Sequence, residues 1–191
     1  MTKRIILAVT GASGPQYALA VARALGGRAD VELHLILSEA AKKVIALEAD
    51  FRPEDLMALA HTSYSEKDIA AGPASGSWRH AGMIVCPCSM ASLGAIAHGL
   101  GTNLIHRAAD VALKEGRKLV LVTRETPLNL IHIKNMLAAK EAGADIVPAS
   151  PGFYHKPKTI DDLVNHLAGR ILDQFSDQLG IDNTLFTRWG E

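Results

Sequence analysis

The chain has 191 residues, of which 48% are apolar and 21% are charged, and its 20 basic and 20 acidic residues give a formal net charge of zero. The apolar fraction excludes an intrinsically disordered chain, and the balanced charge gives no general attraction to nucleic acid or to anionic membranes. Phosphate binding would therefore depend on a few placed cations and backbone amides. The length suits one domain, which we predict over residues 1–191, including a C-terminal helix and tail at 159–191.

Short apolar runs alternate with segments of helical periodicity along the chain. In chain order the predicted elements are strand 5–9, helix 17–25, strand 31–37, helix 39–49, short helix 53–60, strand 83–86, helices 89–98 and 103–114, strand 118–122, helix 128–141, strand 146–147, helix 159–179 and tail 181–191. Strands that are apolar throughout are buried on both faces. This pattern predicts an α/β fold, a Rossmann-like three-layer sandwich with a mostly parallel sheet and helices on both faces. The segment G-P-A-S-G-S at 72–77 is predicted to be a mobile loop over a site.

The cysteines and histidines show no pattern of a disulfide or metal site. Cys86 and Cys88 are one residue apart, so a disulfide between them would be strained, and C-P-C lacks the spacing of a structural zinc site. The eight histidines form no H-E-x-x-H or H-x-H pair, so no metal is predicted. The apolar run before Gly11 is too short for a signal peptide or a membrane span. These features favour a cytoplasmic protein.

Glycines, hydroxyl side chains or charged pairs follow every predicted strand. Ligands of open parallel sheets bind outside the carboxyl ends of the strands, so we expect these residues to converge on one edge. T-G-A-S-G at 10–14 enters a helix and is either a turn that presents amides to a phosphate or flavin, or only a tight turn. Arg124 and Glu125 directly follow a buried strand, and burying two charges there is costly. A cleft is favoured, in which Arg124 holds phosphate and Glu125 moves a proton.

Four further residues each have a structural interpretation beside the functional one. Ser38 is explained as a helix cap, a role that is compatible with contact to an anion. Glu48 lies in the last helical turn, where it opposes the helix dipole, so it is either solvated or functional. Arg107 and Lys114 lie on one helix face with Asp110 between them, which indicates either a surface ion-pair stripe or two cations that face phosphate.

With these residues assembled, the chain resembles the UbiX-type flavin prenyltransferases, within a broader flavoprotein group that includes cysteine decarboxylases. The resemblance extends from the first strand to the tail. The matching stretches are T-G-A-S-G at 10–14, S-E-A-A at 38–41, E-A-D at 48–50, P-A-S-G-S at 73–77, C-P-C-S at 86–89, R-A-A-D-V-x-L-K-E at 107–115, R-E-T-P-L at 124–128, P-G-F-Y-H-x-P at 151–157, D-D-L-V at 161–164, R-I-L-D at 170–173 and R-W-G at 188–190. Each stretch is weak alone, whereas together they are specific.

The resemblance implies an enzyme that transfers a dimethylallyl group from dimethylallyl (mono)phosphate to N5 and C6 of reduced FMN, without a metal. The product would be prenylated FMN, the cofactor of UbiD-type decarboxylases, with a place in ubiquinone biosynthesis. The resemblance also implies a homododecamer with sites at subunit junctions. Neither a membrane nor a nucleic acid is expected as partner.

The resemblance assigns roles to residues position by position. The implied FMN contacts are Gly11, Ala12, Ser13, Ser38, Ser89, Met90, Ala91, Ser92, Arg107 and Arg124. The implied contacts of the donor phosphate, some from a neighbouring subunit, are Lys114, Arg124, Tyr154 and Arg170. The implied catalytic residues are Ser13, Glu48, Lys114 and Glu125, with the two glutamates handling protons.

The chain departs from the family pattern at a few positions. Ala49 stands where many members have Thr, and Pro15 where a small or aliphatic residue is common. Trp78 follows the P-A-S-G-S stretch, whereas some members have Trp before it. The sequence therefore leaves open which aromatic residue, if any, lines the donor pocket. The alternatives are an FMN-dependent cysteine decarboxylase, which would show P-x-M-N-x-x-M-W, and a non-catalytic flavin carrier, which would lack Glu48, Lys114 and Glu125.

Overall fold

The computed structural model describes residues 2–180 and 183–190, in which strands alternate with helices. In chain order the elements are β1 (Lys3–Val9), α1 (Pro15–Gly26), β2 (Val31–Leu37), α2 (Glu39–Glu48), α3 (Pro53–Met57), β3 (Thr62–Ser65), β4 (Gly82–Cys88), α4 (Met90–Ala97), α5 (Leu104–Lys114), β5 (Lys118–Thr123), α6 (Leu130–Glu141), β6 (Asp145–Ile146), α7 (Ile160–Asp173) and α8 (Ser176–Leu179).

The strands form one parallel sheet in the order β3-β2-β1-β4-β5-β6. The chain builds outward from β1 in one direction and then from β4 in the other. The neighbouring strands β1 and β4 therefore mark the switch point of the topology, where open sheets leave a crevice at the carboxyl edge.

The core lies on both faces of the sheet, because successive side chains of a strand point to opposite sides. In β1, Ile5, Leu7 and Val9 pack in the cluster that contains α1 and α7, whereas Ile6 and Ala8 pack in the cluster that contains α4 and α5. All five side chains are fully buried. The predicted α/β three-layer sandwich is therefore confirmed.

Two strand predictions were incomplete. The edge strand β3 was missed, because its sequence T-S-Y-S is short and polar and has no apolar run. The strand predicted to end at Cys86 continues through Pro87 to Cys88. Proline lacks a backbone N–H, but the carbonyl of Pro87 accepts hydrogen bonds from the amide and the hydroxyl of Thr10, so the segment stays attached to the sheet.

The predicted helix 159–179 is wrong as one continuous element. Helix α7 ends at Asp173, and α8 begins at Ser176 after a turn through Gln174 and Phe175. Phe175 is fully buried in the core, which it reaches from this turn. Of the predicted tail, positions 181, 182 and 191 lie outside the described residues.

The segment 72–77 contains a 3-10 turn at Gly72–Ala74 and a buried Pro73. Its carbonyls at Ala74 and Gly76 accept hydrogen bonds from Arg107 and Arg117, so it is attached to the helix layer. Cys86 and Cys88 are buried free thiols. Within 2–180 and 183–190, no helix is long and apolar enough to cross a membrane.

Candidate active site

The loops after β1 and β4 are joined at the switch point by the side chain of Thr10. Its hydroxyl donates to the carbonyl of Pro87 over 2.7 Å and accepts from the amide of Ser89 over 2.8 Å. Thr10 is buried, so both hydrogen bonds lie away from solvent. This contact holds T-G-A-S-G and the turn at Ser89 next to each other, as the convergence argument predicts.

The glycines of T-G-A-S-G are required by close packing and by backbone conformation. A Cβ atom at Gly11 would lie 2.5 Å from the Cβ of Ala40 in α2, which is shorter than real contacts between such atoms. Gly14 has a φ of 93°, in the left-handed region that favours glycine, and it precedes Pro15 at the start of α1. The loop therefore lies against α2 and turns sharply into α1.

Glu48, the last residue of α2, is bonded to this loop. Its Oε2 accepts a hydrogen bond of 2.8 Å from the Ser13 hydroxyl and one of 3.1 Å from the Gly14 amide. Gln16 donates to the Glu48 carbonyl over 3.0 Å. The carboxylate is thus placed at the switch point, whereas the sequence left a solvated helix end as the alternative.

Two further helices begin at the same edge, each with a serine cap. The Ser38 hydroxyl accepts from the amide of Ala41 over 3.0 Å, and the Ser89 hydroxyl accepts from the amide of Ser92 over 3.3 Å. The predicted cap at Ser38 is confirmed. Met90, as the first residue of α4, and Ala91 lie in the first turn, where backbone amides have no partner within the helix. Such amides suit the phosphate or the polar ring edge of a flavin.

A cavity of about 330 Å³ lies at the carboxyl end of β5 and contains Arg124 and Glu125. The Arg124 side chain makes no hydrogen bond or ion pair within the described part of the chain. Its charge does act on Tyr17 of α1: burial raises the pKa of that phenol, the Cys86 thiol adds to this, and Arg124 lowers it. Oε1 of Glu125 accepts from the amide of Thr126 over 2.9 Å. Both residues therefore face a cleft, as the sequence predicts.

Tyr154 and Arg170 belong to a second cluster, built by the loop before α7 and by α7 itself. The Tyr154 hydroxyl lies 2.9 Å from Nε2 of His166, and Arg170 is one helical turn further along. Arg170 donates to Asp173 over 2.7 Å. Helix α7 packs on α1, so this cluster lies beside the helix that follows the glycine-rich loop.

Asp173 attaches the C-terminal tail to this second cluster. It accepts hydrogen bonds from Asn183 and from both terminal nitrogens of Arg188. Burial by itself raises the pKa of Asp173, but the hydrogen bond from Arg188 and the nearby guanidinium groups hold it below its usual range. The carboxylate therefore stays charged and keeps the tail against Arg170.

The tail also places an aromatic residue on Tyr154. The ring of Trp189 lies edge-on to Tyr154, with centroids 5.3 Å apart. Trp78 instead packs edge-on against His34 at 4.8 Å and under the guanidinium of Arg4, near the start of β1. Of the two tryptophans, Trp189 is therefore the one that lies beside Tyr154.

Lys114 is not brought to the switch point within the subunit. Helix α5 begins near Glu66, just past the carboxyl end of β3, since Glu66 accepts from Asn103 and Leu104. Lys114 lies ten residues after Leu104, which corresponds to a rise of about 15 Å along α5 toward the amino edge of the sheet. Arg107 donates to Asp110 over 2.7 Å, the ion pair that the helical spacing predicts.

Thr10, His166 and Asp173 connect the candidate residues, and the sequence reasoning did not single them out. Thr10 and Asp173 do stand inside the stretches T-G-A-S-G and R-I-L-D, so a signal was present. His166 had no such signal, because its partners Gly152 and Tyr154 become neighbours only when the loop folds over α7.

Matches to known proteins extend over most of the chain. The model of the flavoprotein family matches residues 1–172. The flavin prenyltransferase UbiX of Thauera aromatica is 49% identical over 186 residues, which cover 97% of this chain and 93% of the relative. The family match extends over T-G-A-S-G, Glu48 and the Arg124–Glu125 pair, since all of them lie within residues 1–172.

Two crystal structures superpose on nearly the whole chain. AnUbiX in complex with FMN and dimethylallyl pyrophosphate has a TM-score of 0.95 and 46% identity, covering 100% of this chain and 99% of its own. A dodecameric FMN-dependent UbiX-like decarboxylase from Escherichia coli O157:H7 has a TM-score of 0.94 and 46% identity, covering 98% and 100%. The cysteine decarboxylase TvaF is 16% identical with a TM-score of 0.61, a likeness of fold alone.

Proposed function

The chain belongs to the flavoprotein family and, within it, to the UbiX-type flavin prenyltransferases, and we propose that it transfers a dimethylallyl group from dimethylallyl phosphate to N5 and C6 of reduced FMN. The observation that carries the proposal is the convergence of T-G-A-S-G, the Ser89 turn, Arg124 and Glu48 on one edge. A relative that is 46% identical over the full chain has been crystallised with FMN and the diphosphate of the same prenyl donor.

The switch-point residues fit a flavin. Gly11 lets the loop backbone lie directly against Ala40, which places the loop beside the first turn of α2. The first turns of α2 and α4, capped by Ser38 and Ser89, offer backbone amides, and Arg124 offers a guanidinium in the cavity. These groups suit the phosphate and the polar ring edge of FMN. Ala12, Ser92 and Arg107 are assigned to FMN by the family resemblance. When bound, reduced FMN supplies the nucleophilic ring atoms and a flat π-surface.

Cations and a phenol would neutralise the leaving phosphate. Departure of phosphate from an allylic carbon leaves a delocalised cation, so the barrier falls when the developing negative charge is stabilised. We assign this role to Arg124, Arg170, Tyr154 and Lys114. A monophosphate has only one leaving group to neutralise, which these side chains can do. Within the described residues, no cluster of histidine, cysteine or carboxylate groups could hold a metal ion.

Glu48 and Glu125 are assigned to proton handling. Closing the ring at C6 releases a proton, which a carboxylate can accept. Ser13 and Gly14 bind one oxygen of Glu48, Oε2, so Oε1 is the atom available for a proton. Glu125 lines the cavity and binds the amide of Thr126 through Oε1, so its Oε2 is the atom available for a proton. Ser13 thus acts by holding Glu48 in place.

We also propose that the site is completed by a neighbouring subunit. Lys114 lies toward the opposite edge from the switch point, so it reaches a donor phosphate only in another subunit. Helix α6 exposes an apolar face that suits such contacts, with Leu130, Ile131, Ile133 and Leu137 all at least half exposed. A related protein is dodecameric, and a homododecamer is the assembly we propose.

The product has a predicted recipient. We propose that the chain folds as one domain over 1–191 and acts in the cytoplasm. The prenylated FMN that it makes would be delivered to a UbiD-type decarboxylase, including one of ubiquinone biosynthesis.

Anaerobic incubation with reduced FMN and dimethylallyl monophosphate tests the reaction. We expect mass spectrometry to detect a flavin heavier by one C5H8 unit. Parallel incubations use the diphosphate, no donor, and oxidised FMN with the monophosphate. Unmodified flavin with both donor phosphates would refute the proposed function.

A further inference from the structure

Both ring nitrogens of His166 are hydrogen-bonded inside the second cluster. The amide of Gly152 donates to Nδ1 over 3.3 Å, and Nε2 lies 2.9 Å from the Tyr154 hydroxyl oxygen, Oη. His166 is only 5% exposed and belongs to α7, so the rigid helix holds the ring in one place. The tyrosine ring is more exposed and comes from a loop.

These two partners determine which nitrogen of His166 carries the proton. A backbone amide can only donate, so Nδ1 must be the acceptor. The proton of the neutral ring is then on Nε2, and Nε2–H donates to Oη of Tyr154. Because Oη accepts this bond, the phenol keeps its own O–H to donate elsewhere. A charged ring would instead present an N–H to the Gly152 amide.

The surroundings of the ring favour the neutral form. His155 stacks on His166 with centroids 4.7 Å apart and an angle of 6° between the planes, and Phe186 lies edge-on at 5.0 Å. Burial lowers the pKa of His166, and the positive charges that His155 and Arg170 can carry lower it further. The tautomer is thus set by hydrogen bonding and the charge state by the environment.

We propose that His166 is a positioning residue that orients the Tyr154 hydroxyl toward the phosphate of the prenyl donor. The inference rests on the proposed function, which assigns Tyr154 to that phosphate. A phenol that accepts a hydrogen bond becomes a better donor, so Nε2–H of His166 both aims and strengthens the hydrogen bond that the Tyr154 O–H donates to a phosphate oxygen. Trp189, edge-on to the phenol ring, restricts its rotation.

A double-mutant cycle tests this role. The variants are His166→Phe, Tyr154→Phe and the double variant that carries both changes. His166→Phe keeps a stacking ring but removes both hydrogen bonds. Calorimetry measures the Kd of dimethylallyl monophosphate for protein that carries oxidised FMN, in which no transfer occurs, and kcat/KM is measured with reduced FMN. Each single change should weaken donor binding about tenfold, as expected for a hydrogen bond to a charged group. The double variant should be no weaker than Tyr154→Phe alone.

A second histidine–tyrosine pair provides the matched control. Nδ1 of His34 lies 3.1 Å from Oη of Tyr64, and His34 is also 5% exposed. His34→Phe and Tyr64→Phe should leave donor affinity unchanged, and the FMN affinity of all variants should equal that of the wild type. His166→Gln, whose amide nitrogen can donate to Oη, should recover most of the affinity.

The outcomes separate the two proposals. Additive losses in the cycle, or no loss in either single variant, would overturn the positioning role. In that case, a wild type that forms prenylated FMN would still support the proposed function. A loss of FMN affinity in His166→Phe would indicate a general structural role and would also overturn the inference. A wild type that neither binds the donor nor modifies the flavin would refute both.

Discussion

The hydroxyl of Ser13 donates a hydrogen bond of 2.8 Å to Oε2 of Glu48, and the next amide along the chain, that of Gly14, donates to the same oxygen. The donors come from the loop after β1, whereas the acceptor ends α2. The carboxylate is therefore held by the loop that we assign to FMN. Its second oxygen accepts no hydrogen bond within the described residues.

We expect Glu48→Gln to bind FMN with unchanged affinity but to lose at least about a hundredfold in turnover rate. The amide oxygen of glutamine can accept the same two hydrogen bonds, so the loop is preserved, but the side chain cannot accept a proton. Stopped-flow kinetics with reduced FMN measures the loss. Glu39→Gln, at the other end of α2, is the control and should be as active as wild type. An active Glu48→Gln would remove this carboxylate from the mechanism.

Mixed oligomers should show that Lys114 acts across a subunit boundary. Lys114→Ala and Glu48→Gln are each expected to be inactive, but coexpression should restore up to about a quarter of the wild-type activity, because random mixing pairs intact residues from two subunits in that share of sites. Differently tagged subunits allow the mixed species to be purified. Lys43→Ala is the control for loss of an exposed lysine. Mixtures that stay at background would place Lys114 in its own subunit's site or outside the mechanism.

Stability should fall in acid because of His80, which is 7% exposed. Burial and, to a smaller extent, the Arg117 charge lower the pKa of His80 from 6.5 to about 4. Between these values the unfolded chain binds a proton that the folded chain does not, so stability is lost as the pH falls. The loss is about 1.5 kcal/mol between pH 6.5 and pH 5. Urea unfolding of His80→Gln should show a shallower pH slope, whereas the exposed His61→Gln should keep the wild-type slope. Equal slopes in all three proteins would contradict this prediction.

Gly11→Ala should weaken FMN binding and lower the free energy of unfolding by about 1–3 kcal/mol. The added Cβ would meet the Cβ of Ala40 at 2.5 Å, so the loop and α2 must move apart. Gly101→Ala is the matched control, because a Cβ there meets no atom within 4 Å, and its stability should change by less than about 0.5 kcal/mol. Fluorescence titration of FMN and urea unfolding measure both effects. A fully stable Gly11→Ala with normal FMN affinity would show that the close approach to Ala40 is not required.

Much of the fold was predictable because it follows from local patterns. Strand β2 was predicted with its observed bounds, since its apolar run is continuous and turn residues lie on either side. The short polar strand β3 was missed, because it is a strand only through its pairing with β2. The break after Asp173 was missed too, because Phe175 continues the helical spacing in sequence but turns into the core in space.

The candidate site divides in the same way. The sequence by itself determined the residue types that could bind phosphate or move a proton and, through the strand-end rule, the edge at which many of them meet. Only the tertiary structure decided which groups touch: Ser13 with Glu48, Tyr154 with His166, and Asp173 with the tail. It also placed Lys114 away from the switch point of its own subunit. Periodicity is a local property of a chain, whereas a hydrogen bond between distant residues depends on the relative placement of whole elements.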